Sequence, residues 1–169
     1  TSGYFPLSAL AVKREIVDAL YKNGRSFLHA QTFSHHPVGC SVGLATIGYL
    51  KKNKLVERSY KMGEALKEEL APLLSHPHVG DIRGKGLLLG IEFVSERKTK
   101  KPFPRDKKYV EYFLSKAMER GLILWPNVGQ ADGVNGDLIL LAPPFIIRQN
   151  EISLIVKILE EVLSEMKNV

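Results

Sequence analysis

Cysteine is nearly missing from this sequence: Cys40 is the only one in 169 residues, so no internal disulfide can form. A lone thiol agrees with a reducing compartment. Long apolar runs are missing as well. No stretch approaches the ~20 residues that a membrane-spanning helix needs, and no basic start followed by an apolar segment marks a signal peptide. These absences lead us to expect a soluble, cytoplasmic protein with no membrane partner. Repeats and low-complexity tracts are absent too, which leaves an ordinary globular chain.

What is present is a composition of 44% hydrophobic and 25% charged residues, enough to bury a core. The net charge of +6 raises the question of an anionic partner. Its distribution answers against nucleic acid. Cations alternate with glutamates in "KKNKLVERSYKMGEALKEEL", as on a solvated helix face, and the densest run, "SERKTKKPFPRDKK", is a proline-bearing loop with no recognition motif.

Periodicity predicts an α/β alternation. "TSGYFPLSALAV" reads as turn chemistry followed by a strand-like piece, and "KREIVDALYKNG" as a short helix with Ile16, Val17 and Leu20 on one face and Gly24 as its stop. Pro37 suits the first turn of a second helix, "VGCSVGLATIGYLKK", whose small residues allow another element to pack close and predict a largely buried helix with an inert Cys40. From Lys54 to Leu74 a third helix turns Leu55, Met62, Leu66, Leu70 and Leu73 inward. "GLLLGIEFV" is a strand introduced by an "RGKG" turn anchored by Arg83. "KYVEYFLSKAMERG" is a helix with Tyr109, Val110, Phe113, Ala117 and Met118 inward, closed by Gly121. "LILW" and "DLILLA" are short strands, the second ended by Pro143 and Pro144. The last helix runs from Glu151 to Lys167, with Asn150 as N-cap. Residues from about Asn53 onward therefore form one α/β unit with a largely antiparallel sheet. Residues 1 to 52 belong to something else, whose opening strand has no earlier partner, so we expect the chain to begin mid-domain.

The segment "HAQTFSHHPVGCS", residues 29 to 41, concentrates the chemistry. His29, His35 and His36 with Cys40 lack a zinc spacing, and His76 and His78 flank Pro77 in what reads as a surface turn, so no metal site is expected. Gly84, Gly86 and Gly90 have the wrong spacing for a dinucleotide fingerprint and precede a strand rather than a helix. What remains is Thr32, Phe33 and Ser34 ahead of a helix start, where hydroxyls and free N–H groups suit a phosphate. The same residues serve as an N-cap, and on local grounds the cap is the stronger reading.

Taken in order, "TSGYFPLSALAV", "FLHAQTFSHHPVGCSVGLATI", "HVGDIRGKGLLLGIEFV", "GLIL" and "GDLILLAPPFII" resemble the class III aminotransferases, which use pyridoxal phosphate on the fold type I scaffold. The resemblance spans the whole chain. It implies an α/β fold: residues 1–52 as the C-terminal end of the large cofactor-binding domain with its linking helix, and 53–169 as the small C-terminal α/β domain. The family's Schiff-base lysine lies a few residues before a segment like "TSGY", which places it ahead of Thr1. The resemblance therefore gives this chain no catalytic residue and implies that alone it is inactive. Thr32 matches the threonine that reaches across a homodimer interface to the cofactor phosphate of the neighbouring subunit, with Phe33 and Ser34 lining the same pocket. His35 stands where glycine is usual.

The activity implied is transfer of an amino group from an amine or amino acid to a 2-oxo acid. Many relatives hold a substrate carboxylate with an arginine just before the "GD" of the penultimate strand, whereas here Gly133, Val134 and Asn135 precede it. Arg148 replaces a usual Thr or Ser near the start of the last helix. Two rival classes stand beside this one: an aminomutase on the same scaffold, and a non-enzymatic domain whose basic surface binds an acidic partner.

Overall fold

The computed structural model describes residues 1–167, and its packing divides the chain after Lys54. Asn168 and Val169, the last residues of the expected 53–169 domain, lie outside the described residues.

In the unit that starts at Leu55, the sheet is built by alternation. Strand β2 (Leu88–Phe93) buries Leu89, Ile91 and Phe93 and turns Leu88, Gly90 and Glu92 the other way. Strand β4 (Asp137–Leu141) does the same with Ile139 and Leu141, and pairs antiparallel with β2 in the register Leu89↔Leu141 to Phe93↔Asp137. Two edge strands complete the order β1-β2-β4-β3: β1 (Val79–Lys85), irregular between Val79 and Asp81, and β3 (Trp125–Val128), which contains Pro126. All three pairings are antiparallel, as expected from the sequence.

Helices cover one face of this sheet. Helix α3 (Leu55–Leu70) contributes Met62, Leu66 and Leu70; α4 (Tyr109–Glu119) contributes Tyr109, Val110, Phe113 and Ala117; α5 (Gln149–Glu165) contributes Ile152, Val156, Leu159 and Leu163. They join the inward strand residues in one apolar core. Its centre is aromatic, with Phe93 against Phe113 at 4.8 Å and Phe103 stacked on Tyr109 at 4.0 Å, geometries that add to the area term. Gly63 brings α3 against the β1–β2 turn, where a Cβ would lie 2.1 Å from the Gly86 carbonyl oxygen.

Several local expectations are corrected. β1 is a strand that the sequence reading took for a turn, and Arg83 sits within it. β3 begins at Trp125, not within "LIL". Met118 is 60% exposed, because it lies a further 100° round α4 from Ala117, the residue one turn below Phe113. Asn150 is inside α5 rather than its cap: the helix starts at Gln149, and the Glu151 carboxylate accepts from the Arg148 N–H at 2.7 Å.

His76 is buried rather than in a surface turn, and its Nδ1 accepts from the His78 N–H at 3.2 Å. The His78 ring rests 5.1 Å from Phe103. Burial, and then the neighbouring His78, push the His76 pKa below its ordinary 6.5. A depressed folded value means that the fold requires neutral His76, so its contribution is complete above pH 6.5 and is lost as pH falls through the folded value. Thermal unfolding followed against pH is expected to show wild type losing ground to His76→Asn below pH 6.5. A gap between the two that stays constant with pH would contradict this.

The unit ending at Lys54 has a different character. Residues 6–13 are irregular, not the expected strand piece. They lead into α1 (Arg14–Tyr21), which buries no residue, and after a turn at Lys22–Gly24 the chain reaches α2 (Pro37–Lys52). Small residues on α2 do admit close neighbours: a Cβ at Gly39 would meet the Phe5 ring at 2.8 Å, and one at Gly43 would meet Leu7 at 2.8 Å. The rest of α2 is not buried as expected. Leu44 and Ile47 are exposed, and so is Cys40, because residues 1–54 supply only the Phe5–Leu7 strip to cover it.

Candidate functional site

The chemistry-rich segment folds as a tight turn directly ahead of α2. The Ser34 N–H donates to the Gln31 carbonyl at 2.9 Å, the His36 N–H to the Phe33 carbonyl at 3.2 Å, and the Gln31 N–H to Ser34 Oγ at 3.3 Å. His35 adopts φ +59°, the left-handed region that glycine enters freely and that histidine tolerates better than most residues. The histidine is therefore accommodated with its side chain exposed, without crowding the turn.

Thr32, Phe33 and Ser34 are all exposed in this turn. Ser34 is committed as the acceptor for Gln31. The Thr32 hydroxyl, and the N–H groups of Thr32 and Phe33, make no hydrogen bond among the described residues. These are neutral donors at an open turn, the set that a phosphate dianion uses. None of them caps α2. The cap is His36, whose Nδ1 accepts from the Gly39 N–H at 3.5 Å, with Pro37 in the first helical position. That cap was legible in "HHP", since proline favours the position just after an N-cap. The donor set thus fits a phosphate group and has no competing structural duty in residues 1–54.

Of the two arginines singled out from the sequence, Arg83 is occupied. Arg83 donates to Asp81 at 3.0 Å and to Glu92 at 2.5 Å, and these carboxylates raise its pKa. Two acids on one guanidinium leave no free charge for a substrate carboxylate. Arg148 is exposed at the start of α5. The loop before Asp137 is held by Asp132, which accepts from the N–H groups of Val134 and Asn135 at 2.9 and 2.6 Å, while Asn135 Oδ1 accepts from the Arg105 N–H at 3.0 Å. No cation stands in that loop. Among the described residues no group of His, Cys, Asp or Glu could hold a metal, and no helix is long and apolar enough to cross a membrane.

The class-III aminotransferase family matches residues 1–163, and the chain belongs to it. The uncharacterized aminotransferase YhxA of Bacillus subtilis is 40% identical over 163 residues, covering 95% of this chain and 36% of that protein. A Bacillus anthracis aminotransferase structure superimposes with a TM-score of 0.85 at 40% identity, covering 97% of this chain and 36% of the other. An amine transaminase from an uncultivated Pseudomonas species, solved in its PLP-bound form, gives 0.85 at 30% identity, covering 97% and 36%. The fold is accordingly part of the fold type I transaminase architecture, and the chain spans little more than a third of the length of the curated relatives it matches.

Proposed function

We propose that this chain is the C-terminal portion of a pyridoxal-phosphate-dependent aminotransferase that moves an amino group from an amine or amino acid to a 2-oxo acid. The observation that carries the reading is the family match over residues 1–163. In this reading residues 1–52 close the large domain, residues 53–169 form the small domain, and the enzyme works in the cytoplasm as a homodimer that shares its active sites.

Thr32 is assigned to the cofactor phosphate through its hydroxyl and N–H, with the Phe33 N–H beside it and Ser34 shaping the turn. Pyridoxal phosphate, when bound, supplies an electrophilic carbonyl carbon and a ring that accepts the electron pair released from the substrate carbon. The contribution of residues 1–169 is binding and orientation. Every described lysine is exposed except the half-buried Lys116, which pairs with Glu119 at 3.0 Å. None therefore has the apolar burial that lowers an amine toward nucleophilic reactivity. Without an arginine between Gly133 and Asn135, the loop favours a substrate that presents no carboxylate there, such as a simple amine donor.

Titration of the full-length apoenzyme with pyridoxal phosphate, followed by the cofactor's absorbance, tests the assignment. Saturable binding is expected, with amine-dependent consumption of a 2-oxo acid. Thr32→Val is expected to weaken binding by about 1.5–3 kcal/mol, the worth of one charge-assisted hydrogen bond, with little change in folding. Wild-type affinity in Thr32→Val would remove Thr32 from the site, and absence of any cofactor binding would reject the function.

A further inference from the structure

We propose that His36 is a positioning residue for the cofactor phosphate: it ties the Thr32 turn to α2 and to Phe5, and so sets the direction of the Thr32 donors. The inference rests on the phosphate-binding reading of Thr32 above. It does not require His36 to touch the cofactor.

Three segments of the chain meet at His36. Its Nδ1 caps α2 by accepting from the Gly39 N–H at 3.5 Å. The His36 backbone N–H donates to the Phe33 carbonyl at 3.2 Å, which closes the turn that carries Thr32 and sets its last residue beside the helix start. Its ring stacks on Phe5, with centroids 5.2 Å apart and planes at 28°, and stands 6.1 Å from Phe33. His36 is half-buried, while Thr32, Phe33, Ser34 and His35 are exposed, so within the turn it is the residue with packing to hold it. Phe5 is fixed in turn by Gly39, which has no side chain to displace it.

Each function of the ring has a physical requirement. Capping needs an acceptor one bond from the ring edge, and Nδ1 provides it only when the ring proton is on Nε2. Asparagine also accepts in this position but offers no flat surface to Phe5. Phenylalanine offers the surface and no acceptor. Histidine satisfies both, and among the described residues the turn has no other side-chain anchor to α2, because Ser34 spends its hydroxyl on Gln31 inside the turn. Loss of the imidazole therefore removes the cap and the Phe5 contact and leaves the Thr32 turn held by its backbone bonds alone.

Full-length apoenzyme is titrated with pyridoxal phosphate and, separately, with pyridoxal, which lacks the phosphate. His36→Ala is expected to raise the dissociation constant for pyridoxal phosphate about tenfold, the scale of a lost cap, and to leave that for pyridoxal unchanged. His36→Asn is expected to recover part of the loss, and if the alanine variant does not fold, the asparagine variant carries the comparison. In a Thr32→Val background, which keeps only the N–H donors of the turn, replacing His36 is expected to have a smaller further effect than in wild type. Wild-type affinity in His36→Ala, or an equal loss for the two aldehydes, would overturn the proposal. Failure of the wild-type protein to bind pyridoxal phosphate would instead reject the cofactor assignment beneath it.

Discussion

Gly63→Ala is expected to lower the thermal midpoint of the chain by roughly 6 °C, although alanine is the better helix former. Two effects oppose each other at this position. In the middle of α3, replacing glycine with alanine gains about 1 kcal/mol of helix propensity. Against that, the new Cβ would lie 2.1 Å from the Gly86 carbonyl oxygen and 2.2 Å from its carbon. Both are backbone atoms of the β1–β2 turn, so no side-chain rotation relieves the contact. Either α3 or the turn must move, at a cost of about 3 kcal/mol or more for overpacking a filled site. The steric term wins. Gly48→Ala in α2, where nothing lies within 4 Å, is the matched control and is expected to leave the midpoint unchanged or slightly raised. An unshifted midpoint in Gly63→Ala would show that α3 and the turn are less tightly packed than described.

The same position shows why parts of the fold were legible in sequence and others were not. Helices α3 and α5 carry buried residues at intervals of three, four and seven, and that spacing has one structural explanation. Strand β1 has only Val79 and Ile82 buried, among two glycines and three charged residues, so "VGDIRGK" carries no alternation to read. Proline hid β3 in the same way, since a strand with Pro126 is acceptable only at a sheet edge. Gly63 looked like any helical glycine, because the atoms that exclude a side chain there come from a turn 23 residues further on. In the candidate site, the hydroxyls before α2 pointed to a cap more strongly than to a phosphate. In the structure His36 takes the cap itself, which leaves the Thr32 hydroxyl and N–H without a partner among the described residues.

Asp137→Ala is expected to cost about 3 kcal/mol, as removal of one member of a buried charged pair does. Asp137 opens β4 at 1% exposure. One oxygen accepts from the Val110 N–H at 3.3 Å in the first turn of α4, where the helix dipole favours a negative charge. The other faces Arg105 at 3.6 Å, a long ion pair with no hydrogen bond. Burial raises the Asp137 pKa, and the pull of Val110 and Arg105 in the other direction does not cancel it. Alanine would leave the Val110 N–H without its acceptor and Arg105 with Glu111 as its only carboxylate among the described residues. Asparagine keeps an acceptor for Val110 without the buried charge, and is expected to cost only about 1 kcal/mol. The pH dependence follows from the sign of the shift. A carboxyl whose folded pKa is raised favours the fold when protonated, so its contribution is complete below 3.8 and is lost as pH rises through the folded value. The advantage of wild type over Asp137→Asn should therefore narrow as pH rises from 3.8. Denaturant unfolding of the three proteins across pH reads this directly, and a gap that widens with pH would show that Arg105 dominates burial.

The two edge strands bear on how this sheet behaves in a crowded cell. An exposed strand edge offers a row of unpaired N–H and C=O groups to any other extended chain, the first step toward fibrils. β3 presents four residues, one of them a proline with no N–H to donate. β1 presents an irregular register and the charges of Asp81, Arg83 and Lys85. A newly synthesised copy meeting another in the same state would find one edge interrupted and the other costly to desolvate. The features that made these strands hard to recognise in the sequence are thus the ones that discourage the sheet from growing by adding strands from its neighbours.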